Sequence, residues 1–364
     1  MKQYLIVFLL VVCTGATIYA QADLQPVALV RLTRSEPITV KQLKTEIEKL
    51  AWQSLIARLG RIPTDAELNR EVLNTSIESR RQVLEVIINE KLALQAAERD
   101  RITVTDNEIN QQITQLKTQM AQAIGRLPTD DELSQAIKNE TGQDLNTFRE
   151  SLRRQAIVQK YLMSKKQDLF NELKPPSDAE IINFYNLAKS QFVRPDTVRF
   201  SMIQVAYGGD AVSKTRAKEL ADRLSREIGT NPSSFDEVVV RGQNPNSGYR
   251  AGDGGYLPRS VEAQARAGAD FINTAFSLKQ GEVSRVIEGI QGYQIIKITE
   301  TYTQKALELD DVAELGSRIT VRQFIGANMM QQKQQEILAR ASQELIRELR
   351  TGNPFQVMEN NLNF

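Results

Sequence analysis

Histidine is absent from all 364 residues. Without imidazole there is no Ser-His-Asp or Cys-His machinery, no HExxH zinc site and no side chain poised to switch near neutral pH. Cysteine is almost as scarce: the single Cys13 lies in the hydrophobic N-terminal segment, so thiol catalysis and disulfides are excluded from the rest of the chain. An excess of either charge is missing too. Lys+Arg 46 against Asp+Glu 45, well interspersed, sets up no field for nucleic acid or an anionic membrane. Beyond the first residues no apolar run reaches membrane-spanning length. The one tryptophan, Trp52, sits among Leu50, Leu55 and Ile56 and reads as helix packing rather than an anchor for a partner.

What is present is ordinary globular composition, 41% apolar and 25% charged, with length for two or three domains. The opening MKQYLIVFLLVVCTGATIYAQA has one lysine, a short apolar run and small residues ending Ala20-Gln21-Ala22. This is the layout of a signal peptide over residues 1–22, with cleavage leaving Asp23 first and export to the periplasm or beyond. An uncleaved membrane anchor and a lipoprotein acylated at Cys13 stay open as alternatives. Val12 before that cysteine is bulkier than a lipidation site prefers.

From Ile38 to about Gln191 the pattern is helical. Capping boxes of the form S/T-x-x-E/Q stand at Thr39 to Gln42, Thr64 to Glu67, Thr105 to Glu108, Thr129 to Glu132 and Ser177 to Glu180, which predicts at least five helices. The phrase GRIPTDAEL at 60–68 returns as GRLPTDDEL at 125–133. Poorly matched flanks make it a recurring turn with a capped helix rather than a tandem repeat, and it reports architecture. The tail from Leu309 to Arg350 is helical again, with Ile337, Ala341, Leu345 and Leu349 on one stripe and Gly352 as its stop. That helix is too short to fold alone, so its stripe is expected to pack back on the N-terminal helices. Met329 and Met330 read as core.

After Pro195 the character changes. VRFSMIQVAY alternates as a strand, SKTRAKELADRLSREI and SFDEVVVRG are helices, PNSGYRAGDGGYLP is a Gly-rich loop or hairpin, ADFINTAFSL is a helix, and EVSRVIE and YQIIKITE are strands. The fold class is therefore α+β, a compact sheet domain set between helical regions. Asp253 reads as a hairpin-turn residue, and the glycines around it, with no G-K-[ST] after them, form no phosphate cradle.

The order of elements together with SRRQVLEVIINEKLALQAAERDRITVTDNEI, DLNTFRESLRRQAIVQKYL and the run FDEVVVRGQNP, AGDGGYL, DFINTAFSLKQGEVS and GYQIIKITE resembles the SurA, PrsA and PpiD-type secreted chaperones. These carry a parvulin-type peptidyl-prolyl isomerase domain between helical chaperone regions. The resemblance implies a multi-helix chaperone module at 23–194, an inserted parvulin-like antiparallel sheet domain at 195–303 and a C-terminal helical segment at 304–364 that completes the module. It implies no cofactor and no metal, and as partners unfolded or extended client polypeptides, outer-membrane proteins among them.

The departures from that family carry the functional expectation. Its first-strand histidine falls at Met202, its last-strand histidine at Gln294, and its acidic or cysteine position at Asn244. The resemblance keeps Phe271 of the proline pocket, with Phe276 beside it, so substrate contact is assigned to Phe271, Met202, Gln294 and Phe276. The same analogy has Met202 facing Gln294 across the strands. Prolyl isomerisation breaks no covalent bond and needs no general base; its barrier is about 18–20 kcal/mol of amide resonance, lowered by binding the twisted amide best. Losing the histidines removes a hydrogen-bond network and leaves the cleft. The expectation is a chaperone with a degenerate isomerase domain; the alternative is an isomerase that uses other groups.

Overall fold

The computed structural model describes residues 23–208, 211–229 and 231–364. The signal-peptide reading and Cys13 lie outside them. Among the described residues no helix is long and apolar enough to cross a membrane. Contacts divide the chain into two units, one running to Leu173 and resuming at Lys333–Phe364, the other Lys174–Gln332.

All five predicted capping boxes form, at Thr39, Thr64, Thr105, Thr129 and Ser177. In each, the hydroxyl accepts from the backbone N–H three residues on, while that residue's side chain accepts from the cap's own N–H. The helices so started include Val40–Leu59, Asp65–Asn74, Asp106–Ile124 and Asp130–Thr141 in the first unit. Ile77–Arg99 and Leu145–Lys165 follow Ser76 and Asp144, whose side chains accept single cap bonds. The two GRxPTDxEL phrases build the same device twice. Gly60 and Gly125 end a helix in the left-handed conformation, and Arg61 and Arg126 each reach six residues on to the capping glutamate.

The core of the first unit gathers Leu43, Leu84, Ile88 and Leu92 with Ala341, Leu345 and Leu349, so the predicted stripe of the last helix does pack onto the N-terminal helices. A three-stranded sheet that the sequence did not announce closes this core. Strand Pro26–Val30 pairs antiparallel with Glu36–Thr39 on one side and with Phe355–Val357 on the other. The buried Gln95 carboxamide braces it, its Oε1 accepting from the N–H groups of Leu32 and Thr33 at 3.1 Å. Trp52 donates through Nε1 to the Asn139 carbonyl at 3.0 Å and lies against Gly142, so it packs helix to helix.

In the second unit a four-stranded antiparallel sheet runs in the order Arg250–Pro258, Thr197–Ala206, Gly292–Tyr302, Ile287–Glu288. Helices Ala211–Ile228 and Pro232–Arg241 cover one face through Leu224, Ile228 and Phe235 on Ile203, Val205 and Ile295. Helices Val261–Ala267 and Ala269–Ser277 cover the other through Phe271 and Ile272 on Val198, Phe200, Ile296 and Ile298. Helix Asp178–Ala188 and the pair of short strands Val193–Arg194 and Lys305–Ala306 belong here as well. The contact division thus falls at 173/174 and 332/333 where the sequence reading put 194/195 and 303/304. Ile181 and Tyr185 pack on Leu307, Val321 and Ile325, which draws both flanks into this unit. The tail is helical only from Val321.

The capping glutamates make acid sensitivity predictable. Glu67 and Glu132 are held down to about 2, chiefly by Arg61 and Arg126, and Glu108 to about 2, chiefly by the Thr105 N–H. A carboxylate depressed in the folded state stabilises it above the unfolded pKa, and that stabilisation is lost as pH falls through the folded value. Melting temperature by circular dichroism should therefore drop between about pH 4.5 and 2. The triple variant Glu67→Gln, Glu108→Gln, Glu132→Gln should show a shallower drop, since glutamine keeps the box, as Gln42 does at Thr39. An unchanged slope would show that these caps do not govern acid stability.

Candidate functional site

Alternation along a strand sorts the candidate residues by face. On Thr197–Ala206, Phe200 and Met202 point to the Phe271 side, and Gln204 follows with the same parity. On Gly292–Tyr302, Ile296 and Ile298 point there, and so does Gln294. The register pairs Met202 with Ile296 and Gln204 with Gln294. This corrects the expected partnership: Gln204, not Met202, stands directly across from Gln294, and Met202 is its diagonal neighbour, roughly 7–8 Å away backbone to backbone. The analogy reached the right face and missed the register by one pair. Gln204 could have been found only by fixing that register.

Gln294 does not reach across to the neighbouring strand. Its carboxamide lies on Gly289, so close that a Cβ there would stand 2.7 Å from Oε1. Gly289 is itself fixed by its N–H to the Gly292 carbonyl at 2.9 Å and by the Tyr207 hydroxyl donating to its own carbonyl at 2.9 Å. The Gln294 Oε1 is buried there with no hydrogen-bond donor, an arrangement that costs about 1–3 kcal/mol in a folded protein.

Phe271 is 4% exposed and meets Phe200 edge to face, with ring centroids 5.4 Å apart. Met202 and Phe276 are half-buried against the same cluster. The Arg259 guanidinium stands 5.2 Å over the Phe276 ring. Asn244 is exposed, and its Oδ1 accepts from the Asn246 N–H at 3.0 Å, so it caps the turn Pro245–Ser247. A shallow cavity of about 370 Å3 beside that turn is lined by Gln204, Pro245, Tyr249 and Arg250, and by neither Met202 nor Gln294.

Asp253 lies within the continuous strand Arg250–Pro258, not in a hairpin turn. Gly254 is the extra residue of a bulge between Phe200 opposite Gly255 and Ser201 opposite Asp253. A Cβ at Gly254 would overlap the Phe200 ring. Asp253 accepts from Arg199 at 2.7 Å and from the Gly255 N–H at 2.9 Å, and both hold its carboxyl below the usual range. It closes the bulge.

The apolar face thus offers Met202, Ile296 and two carboxamides, with no titratable group among them. These side chains can neither donate nor withdraw a proton at ordinary acidity. Among the described residues no group of three or more acidic or sulfur ligands is placed to hold a metal ion.

The first unit carries a separate concavity. A groove of about 650 Å3 lies between helices Val40–Leu59, Ile77–Arg99 and Leu145–Lys165, floored by Leu50, Val83, Val86, Phe148 and Leu152. Leu50 is 57% and Val86 67% exposed, which brings two large aliphatic side chains together at the surface of one groove. The rim carries four glutamines, Gln53, Gln82, Gln143 and Gln155. Its charges are matched, Lys49 with Glu46 at 2.6 Å and Arg154 with Glu90 at 3.0 Å. Val86 and Glu90 also line an adjoining apolar cavity of about 330 Å3 with Leu162, Leu345 and Leu349. Carboxamides both donate and accept, so such a rim suits a peptide backbone whatever its sequence.

Two domain families match successive parts of the chain. Residues 3–162 match the SurA-like N-terminal domain, and residues 176–314 match the PPIC-type PPIASE domain. The foldase protein PrsA of Clostridium botulinum is 25% identical over 301 residues, which cover 82% of this chain and 78% of that one. The chaperone SurA of Saccharophagus degradans is 27% identical over 304 residues, 82% of this chain and 64% of that longer one. Among solved structures, one described with the SurA-like chaperones PEB4 and Cj1289 of Campylobacter jejuni aligns with a TM-score of 0.35 at 14% identity, over 92% of this chain and all of that one.

Proposed function

Since the chain belongs to the family of the SurA and PrsA chaperones, joining a SurA-like N-terminal domain to a PPIC-type PPIase domain, we propose that it works outside the cytoplasm as a holdase for unfolded polypeptides. In this reading the groove between the first unit's helices receives the client, and the isomerase-type domain is degenerate. The observation that carries it is the pairing of exposed Leu50 and Val86 with a charge-neutral carboxamide rim. Extended segments of outer-membrane proteins, apolar on alternate residues, are the client class that fits.

The degenerate domain is supported by the lack of histidine, by the resemblance, which sets the family's two histidines at Met202 and Gln294, and by the buried, donorless Gln294 Oε1. Nothing there rebuilds a polar network beneath a twisted amide. The rival reading, an isomerase that uses other groups, draws on the half-buried Met202 and Phe276 that pack against the buried Phe271 cluster.

One pair of variants separates the two. Met202→His with Gln294→His restores two imidazoles on diagonal positions of one face, within reach of each other. Exchange NMR on an Xaa-Pro peptide should show catalysis at least about tenfold above parent, a barrier lowered by about 1.4 kcal/mol, in the double variant and in neither single one. An active parent would overturn the degenerate reading. Purified chain that fails to suppress aggregation of an unfolded client would overturn the holdase.

A further inference from the structure

We propose that Gln294 is a two-position latch on the sheet of the second unit. Its carboxamide parks against Gly289 and can cross to Gln204, and the pinned turn around Gly289 decides which position it holds. The latch is independent of the first unit's groove and of any client.

An acceptor without a donor points to the second position. The Gln294 Oε1 is buried and receives no hydrogen bond, although the residue as a whole is only half-buried. Its neighbours offer a remedy. Register sets Gln294 between Ile287 of the edge strand and Gln204 of the central strand Thr197–Ala206. Directly opposed side chains of an antiparallel pair start about 4.5–5.5 Å apart, so a carboxamide leaning inward would meet that of Gln204, and each can donate to the other. Gln294 leans outward instead. It fills the hollow left by the missing side chain of Gly289, where a Cβ would stand 2.7 Å from Oε1 and 3.0 Å from Cδ. Packing in that hollow opposes the cost of the orphaned oxygen.

The wall of the hollow is held from several sides. The Tyr207 hydroxyl donates to the Gly289 carbonyl at 2.9 Å, and the Tyr207 N–H donates to the Gln291 carbonyl at 3.1 Å. Tyr207 itself is fixed edge to face on Tyr293, with centroids 5.2 Å apart. The Gly289 N–H donates to the Gly292 carbonyl at 2.9 Å, and Lys214 holds Glu288 at 2.8 Å. Gly292 lies so close to the next strand that no Cβ fits between it and the Val205 carbonyl. With Glu288, Gly289, Gln291 and Gly292 all pinned, the part that yields to any change at Gly289 is the flexible end of Gln294. Parked, Gln294 withholds its carboxamide from the two central strands. Crossed, it forms with Gln204 a polar pair beside Met202, at the edge of the cavity that Gln204 lines.

Side-chain amide NMR of the full chain, labelled with 15N-glutamine, tests the latch. The two signals are identified by their loss in Gln204→Ala and Gln294→Ala. In the parent the Gln294 amide protons should show nuclear Overhauser contacts to the Gly289 Hα and none to Gln204. Gly289→Ala, at a backbone position outside the left-handed region, should abolish the contacts to residue 289 and create contacts to Gln204. A second variant needs no movement. Gln294→Met keeps the length of the side chain and removes the orphaned acceptor, so the second unit's melting temperature should rise by at least about 2 °C.

Gln294 contacts that stay on residue 289 in Gly289→Ala would overturn the latch, since the turn would then have moved in place of the side chain. Contacts to neither residue 289 nor Gln204 would overturn it in favour of a carboxamide released to water. Gln294 amide protons protected from exchange in the parent, or a melting temperature that Gln294→Met leaves unchanged or lowers, would show that the carboxamide already has its partner in the hollow, and would overturn it as well.

Discussion

Phe271→Ala is expected to destabilise the second unit by about 3–5 kcal/mol, the range for truncating a buried phenylalanine, while client holding by the first unit survives. The ring is 4% exposed and wedged against Phe200. Phe200 cannot swing into the vacated space without losing its own contact with Gly254, against which it lies so closely that no Cβ fits between them. Collapse around the cavity is thereby limited, which places the loss in the upper part of the range. Urea unfolding followed by near-ultraviolet circular dichroism, to which six tyrosines of the second unit contribute beside Trp52 and Tyr161 of the first, measures it. A loss below about 1 kcal/mol would mean that the ring lines an open pocket rather than filling a core.

The second large effect concerns binding. Leu50→Glu together with Val86→Glu should leave stability within about 0.5 kcal/mol, because both side chains are mostly in water and touch no core feature. Aggregation suppression should fall by an order of magnitude or more. Two carboxylates would replace the two most exposed apolar contacts of the groove, beside Glu46 and Glu90, and central apolar anchors carry most of the energy of such sites. Light scattering of an unfolded client against chaperone concentration reads it. Unchanged suppression would show that clients bind elsewhere.

Local signals proved legible in the sequence and non-local ones did not. Thr64 and Glu67 specify a helix start within four residues, and so do the other four boxes, because each device closes on itself. The strand Phe355–Val357 was invisible for the opposite reason: its partner, Pro26–Val30, lies at the far end of the chain. The face of Gln294 followed from alternation alone. Its partner did not, because register is set by bulges and long-range pairing, here by the shift between Arg199 and Phe200 that leaves the Thr299 hydroxyl buried without a partner. Asp253 was misread as a turn because Asp-Gly-Gly serves equally for a hairpin and for a glycine bulge inside a strand. The first unit's groove left no linear signature. Leu50, Val86 and Phe148 come from three helices, and only packing makes neighbours of them.

The central claim is that this chain holds polypeptides without turning prolyl bonds. It is tested most directly by adding the protein to an isotope-labelled, proline-containing unfolded polypeptide and recording its exchange spectrum. Binding without catalysis predicts resonances that broaden in apolar segments while cis-trans exchange at every Xaa-Pro bond keeps its uncatalysed rate, tens to hundreds of seconds at 25 °C. Accelerated exchange, or a spectrum that the protein leaves unchanged, would contradict it.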